Sequence, residues 1–439
     1  MKYFLAVDIG ASSGRHIVGY NHCGKLKTVE VYRFSNSVKE EKGSLIWDIF
    51  EILKNVKEGI KIALKKYPSI ESMSIDTWGV DYVLMNGDKE IMPCFCYRDK
   101  RTKDVINKVH DIISFDELYK ITGTQFQEFN TIYQLYCDKV NKRLEDATSF
   151  LHIPEYLMYK LTGVMVHEYT NASTTGLLDG ITNDYSKLII SKLGLKESLF
   201  TKLYKPGYVL GGFTFGVEKE VGGNIKVVLC PTHDTASAVC GIPMEGNFPY
   251  ISSGTWSLLG IKTDKVINTK DAMNANYSNE YGPNYIRFQK NIMGLWIIQR
   301  LSKEMDLDFS SMVELAERSN YTSTFDVNDI VFLSSLNMKE EIKKWFTSRN
   351  LKAPLNNEDI INAVYNSLAR SYKEAIDGLE KIMNTKYDTL YIVGGGAKNT
   401  YLNELTEKYT EKKVIALPIE ATAIGNLLSQ MEASNARRS

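Results

Sequence analysis

The chain is 439 residues long, more than one compact core of ordinary size takes up, so two domains are expected. Hydrophobic residues at 44% and charged residues at 24% are globular proportions and exclude a mainly disordered chain. With 53 basic against 53 acidic residues the net charge is zero, which excludes gathering nucleic acid or an anionic membrane through a long-range positive field; an anionic ligand must be held by local donors.

In chain order, YFLAVDI reads as a buried strand, GASSG as a turn, HIVGY as a second strand and Lys27–Phe34 as a third. From Trp47 to Lys66 apolar residues recur at helical spacing (Ile49, Ile52, Leu53, Val56, Ile60, Ala63, Leu64), and Pro68 stops that helix. MSIDTWGVDYVLM reads as strand, turn, strand. The middle, Asp99–Leu203, is richer in helix; IPEYLMYKLTG, with proline near its start and glycine at its end, is one. A second α/β series opens at Lys226. KVVLC is a strand, HDTASAVCGI opens a helix and YISSGTWSLLGI is strand, glycine turn, strand. DTLYIVGGGAKNTYLNELTEKYT is strand, triple-glycine turn and helix, followed by the strand KVIAL and the helix EATAIGNLLSQME. A hairpin with a turn rich in Gly, Ser and Thr stands in each half, DIGASSGR and SSGTWS. Two related α/β domains are therefore expected, 1–243 and 244–439, joined in the loop PMEGNFP.

Six cysteines are too few for a disulfide scaffold and read as buried thiols of a reducing compartment. The start MKYFLAVDIG, broken by Asp8, is a poor signal peptide, and no stretch reaches the roughly 18 apolar residues of a membrane span. A cytoplasmic protein with no membrane and no nucleic-acid partner is expected.

Five segments could carry chemistry. In VDIGASSGR an acid ends a strand and small residues follow, so backbone N–H groups can approach an anion. Asp8 could hold Mg²⁺ through water; an ordinary hairpin with a capping aspartate fits equally. IDTWGVD offers two carboxylates for sugar hydroxyls and an indole face for a sugar's apolar side, or simply a turn with a core tryptophan. YRDKRT is a solvated charge run or an acid between two arginines that orients a ligand hydroxyl. In PTHDTASAV, Asp234 opens a helix after a strand, where α/β folds bind ligands; it suits a general base and equally a plain N-cap. SSGTWS, with Thr255, is a second anion-friendly turn, and the three glycines of VGGGAKN let a flat ring lie on the backbone. The G-x-G-x-x-G spacing of a dinucleotide fold is missing.

Taken in order, VDIGASSGR, IDTWGVD, YRD, HDTASAV, SGTWS, GGGAKN and EATAIGN resemble the FGGY family of carbohydrate kinases, essentially end to end. The resemblance implies two ribonuclease-H-like domains, of the actin and hexokinase kind, facing across a cleft. It implies ATP and Mg²⁺ as cofactors, a small ketose as substrate, and a monomer or homodimer. Ala11, Ser12, Ser13, Gly14 and Arg15 would bind the phosphates. Thr255, Gln299, Gly395 and Gly396 would hold the rest of the nucleotide. Gly79, His233, Asp234, Thr235 and Asn291 would line the sugar site, with Asp234 as catalytic base. Within the family the likeness is greatest to members acting on L-rhamnulose, with L-fuculose, D-xylulose or a related polyol as alternatives and a non-catalytic actin-like ATPase as a more distant one. His16 stands where an apolar residue is expected, and the segment Asp271–Tyr285 departs from the family's usual Leu-rich run.

Overall fold

Strand β1 (Tyr3–Ile9) is buried along nearly its whole length and sorts its side chains onto two faces. Leu5, Val7 and Ile9 pack with Ile52, Leu53 and Val56 of the helix Ile49–Lys66, whereas Phe4 and Ala6 pack with Ala423 and Leu427 of the helix Ala421–Asn435. Each aliphatic side chain so buried contributes about 1.5–3 kcal/mol, and the pattern fixes the register, since a one-residue slip would exchange the two faces. In this computed structural model residues 2–244, 246–333, 335, 337–417 and 420–435 are described.

The chain divides into two units that interleave in sequence. Unit 1 is Met1–Ile242, Thr263–Arg287 and Ala421–Ser439; unit 2 is Pro243–Lys262 and Phe288–Glu420. Unit 1 holds β1, β2 (Ser13–His22), β3 (Lys25–Ser35), β4 (Ile70–Thr77), β5 (Val209–Gly211) and β6 (Lys226–Val228) in the order β5-β6-β4-β1-β2-β3. β1, β2 and β3 form an antiparallel meander, while β4 pairs parallel with both β1 and β6. The Ile49–Lys66 helix starts where Asp48 accepts the Glu51 N–H and ends at Tyr67, before Pro68.

Between β4 and β5 the chain adds a three-stranded sheet, Lys89–Ile91, Tyr82–Asn86 and Ser149–His152, with its own core around Tyr82, Leu84, Phe150 and Leu177. Ile153–Thr162 is the expected proline-started helix, and Gly163 caps it at φ 75°, a conformation glycine adopts without strain.

Unit 2 has β7 (Tyr250–Ser253), all but the last residue of β8 (Trp256–Thr263), all but the first two residues of β9 (Ile286–Met293), β10 (Thr389–Val393) and β11 (Lys413–Leu417), in the order β9-β8-β7-β10-β11. β7 pairs antiparallel with β8 and parallel with β10, which pairs parallel with β11. Each unit thus places a hairpin on one side of a parallel pair, the ribonuclease-H-like layout the resemblance implies. His16, unexpected on β2, is fully buried there with Nε2 3.0 Å from the Val56 carbonyl.

Candidate functional site

In unit 1 the site grows from the ends of parallel strands. Asp8 of β1 and Asp76 of β4 are register partners, and Arg15 stands opposite Asp8 on β2 with its guanidinium 2.6 Å from the Asp8 carboxylate. An isolated bridge joins Thr77 to His233, and the Thr77 N–H donates to Thr232 at 3.0 Å, so the turn that ends in Asp234 is stitched to the same strand end. Asp76 is wholly buried. Burial, then the charges of Asp8 and Asp234, hold its carboxyl well above the ordinary range; Asn426, donating at 2.6 Å, opposes them. Its other oxygen, Oδ1, has no hydrogen-bond partner.

Asp234 opens the helix Asp234–Cys240, and its side chain is 32% exposed. The Thr235 N–H donates to its Oδ1 at 2.6 Å and the Thr235 hydroxyl at 3.2 Å, leaving Oδ2 for another partner. His233 Nε2 lies 3.3 Å from the same Oδ1. On the far side of the ring Arg287 reaches Nδ1 at 3.2 Å and Glu280 at 3.1 Å. The Glu280 carboxylate also lies 3.3 Å from Nδ1, so a guanidinium donor and a carboxylate acceptor both face that side of the ring. Glu168, fully buried, takes the Thr232 hydroxyl at 2.8 Å and caps Thr170 and Asn171. Helices 234–240 and 421–435 meet without side chains between them: a Cβ on Gly425 would lie 1.8 Å from the Ser237 carbonyl oxygen.

Gly79 lies in the turn after β4, where a Cβ would press on Thr174 at 3.0 Å. Its neighbour Val80 has φ 66°, a strained conformation for a β-branched residue that costs about 1–3 kcal/mol. Thr131 holds the Val80 carbonyl at 2.8 Å, and Val80 N–H donates to Thr174 at 3.2 Å. Asp81 is buried as an acceptor for Trp47 at 2.7 Å and Trp78 at 2.9 Å, so this second acid of IDTWGVD holds the tryptophans. In YRDKRT the second arginine is not solvated. Asp99 accepts from Leu45 and Arg101 N–H groups, and the Arg101 guanidinium binds buried Asp138 at 2.5 Å.

The residues expected at phosphate, Ala11, Ser12, Ser13 and Gly14, form the β1–β2 turn, closed by Gly10 N–H to the Ser13 carbonyl at 2.9 Å and tied to Asn36. Gly14 is required there because a Cβ would stand 2.1 Å from the Phe34 ring.

Unit 2 brings its own set together. The Thr255 hydroxyl donates to Gln299 at 3.3 Å, and Leu295 N–H reaches the Gly254 carbonyl at 2.9 Å. A Cβ on Gly396 would lie 2.0 Å from Ser253 Oγ, and one on Gly394 2.6 Å from the Ser253 carbonyl, so the triple-glycine turn seats directly on the β7–β8 turn. Gly395 faces open space, and Asn291 lies on β9. Of the expected residues, Asp8, Arg15, His233, Asp234 and Thr235 gather at the ends of β1, β2 and β4 in unit 1, and Thr255, Gln299 and the triple-glycine turn meet around the β7–β8 turn in unit 2. Glu168, Glu280 and Arg287 were not singled out beforehand; Asp76 was read only as one of the two carboxylates of IDTWGVD, and Asn426 only within EATAIGN.

A family profile, FGGY family of carbohydrate kinases, N-terminal domain, matches residues 3–241, and the C-terminal domain profile of the same family matches 249–434. The chain belongs to the FGGY family of carbohydrate kinases. Among curated FGGY relatives, a rhamnulokinase of Oceanobacillus iheyensis is 43% identical, covering 98% of this chain and 93% of the relative. One of Bacillus subtilis is 40% identical, covering 98% and 90%. Two solved structures share the fold at 16% identity. A xylulose kinase of Lactobacillus acidophilus has a TM-score of 0.80, covering 100% of this chain and 91% of its own, and a Plasmodium falciparum glycerol kinase with ADP has 0.79, covering 99% and 90%.

Proposed function

We propose that this FGGY kinase transfers the γ-phosphate of ATP to the terminal primary hydroxyl of L-rhamnulose, giving L-rhamnulose 1-phosphate in cytoplasmic rhamnose breakdown, with Asp234 as base. The observation that carries the reading is the Asp234 carboxylate: partly exposed, held on one oxygen by Thr235 and His233, and within electrostatic reach of Asp76. The substrate assignment draws on the rhamnulokinases this chain resembles along its whole length.

In this reading Gly79, His233, Thr235 and Asn291 hold the ketose, with its hydroxyl beside Asp234 Oδ2. Asp234 accepts the hydroxyl proton as the oxygen attacks phosphorus in line. Phosphoryl transfer passes through a loose transition state, so orientation and charge stabilisation supply most of the rate. The amides of Ala11 to Gly14 and the Arg15 guanidinium meet the phosphates. Thr255, Gln299, Gly395 and Gly396 carry the remainder of the nucleotide. The residues fit a divalent ion: Asp8 and Asp76 stand side by side, and Asp76 Oδ1 is a buried oxygen without a partner. Asp8 would hold Mg²⁺ through water, and when bound the ion neutralises charge developing on the phosphoryl oxygens.

The test is ADP release coupled to a reporter reaction, with L-rhamnulose, L-fuculose, D-xylulose and no sugar. A kcat/KM for L-rhamnulose at least tenfold above the other sugars supports the assignment. A preference for another ketose overturns the substrate, and sugar-independent turnover overturns the kinase reading.

A further inference from the structure

Apart from the Asp8 and Asp234 carboxylates, three buried side chains of unit 1 converge. His152 ends the Ser149–His152 strand, Glu155 lies in the first turn of the following helix, and His167 opens the short strand His167–Glu168. Each residue is at most 1% exposed. His152 Nδ1 lies 3.3 Å and His167 Nδ1 3.5 Å from the same oxygen, Glu155 Oε2, and one ligating atom from each of the three residues falls within 4.8 Å of the others.

Neither approach is a hydrogen bond. The His152 side chain faces the Glu155 backbone N–H in a capping box at the helix start, but no ring nitrogen of His152, nor Nδ1 of His167, reaches a partner at hydrogen-bond geometry, a rare condition for buried groups. The spacing suits another arrangement. Ligand atoms bound at roughly 2.0–2.1 Å to one tetrahedral ion stand about 3.3–3.4 Å apart. Two imidazoles and one carboxylate are the donor set of a borderline divalent cation.

We propose that His152, Glu155 and His167 form a structural site for a divalent transition-metal ion of the zinc type. The surroundings carry the supporting shell such a site uses. Glu155 Oε1 accepts the Glu168 N–H at 2.6 Å, and Oε2 also takes the His152 N–H at 2.9 Å, which hold the carboxylate in place. Tyr185 sets its ring edge-on to His167 at 5.9 Å between centroids, and its buried hydroxyl has no hydrogen-bond partner.

A metal here would touch none of the residues assigned to the chemistry. It ties the Ser149–His152 strand and the helix after it to His167, and the next residue, Glu168, holds Thr232, two residues ahead of Asp234. The ion stabilises the platform on which the proposed base is mounted, and it belongs to a different place from the cation at Asp8.

The experiment uses the full chain expressed with zinc supplementation and desalted, read by elemental analysis. The same protein stripped with a chelator is then titrated with cobalt(II) and followed by visible absorption. Expected are about one zinc per chain, intense four-coordinate cobalt bands, and a thermal midpoint that zinc raises in the stripped protein. His167→Gln and His152→Gln should each lose the bands and the midpoint shift. Wild-type zinc below a tenth of an equivalent, with no cobalt band, overturns the proposal and leaves a buried polar cluster. Bands that survive in both variants place the metal elsewhere and overturn it as well. If neither variant folds, the wild-type stoichiometry and cobalt spectrum decide.

Discussion

The imidazole of His16 occupies the space that a side chain on Gly59 would need: a Cβ built there would stand 2.3 Å from both Cε1 and Nε2 of that ring. A strand residue and a helix residue have exchanged volume, and this is how β2 keeps a histidine where an apolar residue was expected. Ordinarily Gly→Ala within a helix gains about 1 kcal/mol. Here the helix has to move off the sheet, and overpacking of this kind costs about 1–3 kcal/mol, so Gly59→Ala should lower the urea midpoint. His16→Ala in the Gly59→Ala background should recover much of the loss, giving a favourable coupling in the double-mutant cycle. A Gly59→Ala protein as stable as wild type would contradict the packing described.

Asp234→Asn should keep the fold and lose the chemistry. The isosteric amide can still accept from Thr235, but it cannot take the hydroxyl proton. We expect kcat to fall by roughly 10²–10⁴ with the sugar KM changed only a few-fold. Steady-state kinetics with the urea midpoint as control check this. A kcat within tenfold of wild type would remove Asp234 from its assigned role.

Gly425→Ala tests the crossing of helices 234–240 and 421–435. The opposing atom is a backbone carbonyl, which cannot rotate away, at 1.8 Å from the added Cβ. Separation of the two helices would carry Asn426 off Asp76 and loosen the helix that Asp234 opens. Stability should drop by about 3 kcal/mol, the upper end of the overpacking range, and activity with it. Chemical denaturation monitored by tryptophan fluorescence measures the first, and the coupled assay the second.

Asp81 gives the pH dependence of stability a definite sign. Burial, only partly countered by the Trp47, Gln134, Trp78 and Tyr97 donors, raises its pKa from 3.8 to about 6. The folded state therefore holds this proton more tightly than the unfolded chain does. Its contribution is most favourable below about pH 4, declines as pH rises from 4 to 6, and is level above that; the span is roughly 3 kcal/mol. In Asp81→Asn that decline disappears, although the new NH₂ group meets the Gln134 donor and costs some stability at every pH. Urea midpoints of both proteins from pH 4 to 8 test this, since their difference cancels groups the two share. Parallel curves would rule it out.

The elements were legible because local physics decided them. Alternation in YFLAVDI, helical spacing from Ile49 to Leu64, and proline or glycine at the ends of IPEYLMYKLTG each reflect a face buried against a neighbour. Within the candidate site, Asp8 and Asp234 could be read because each follows a strand and opens a turn. Asp76 could not be separated from Asp81, since both are acids flanking one tryptophan. What tells them apart is that Asn426 and Asp8 surround the first and the two indoles Trp47 and Trp78 the second. Arg287 and Glu280 gave no local signal, because their connection to His233 spans about fifty residues of chain. The burial of Arg101 in YRDKRT was hidden for the same reason: its charge partner, Asp138, lies on another helix.

Helix 421–435 covers one face of the sheet that the first strands begin. Its Gln430 donates to the Leu5 carbonyl at 3.0 Å, across more than four hundred positions. During synthesis, then, β1 and β2 lack that cover until some four hundred further residues have been translated. Phe4, Ala6 and Ile17 stay without their apolar partners through that interval. An apolar face made early thus waits on a distant segment, and the nascent chain has to be kept from aggregating through it in the interval.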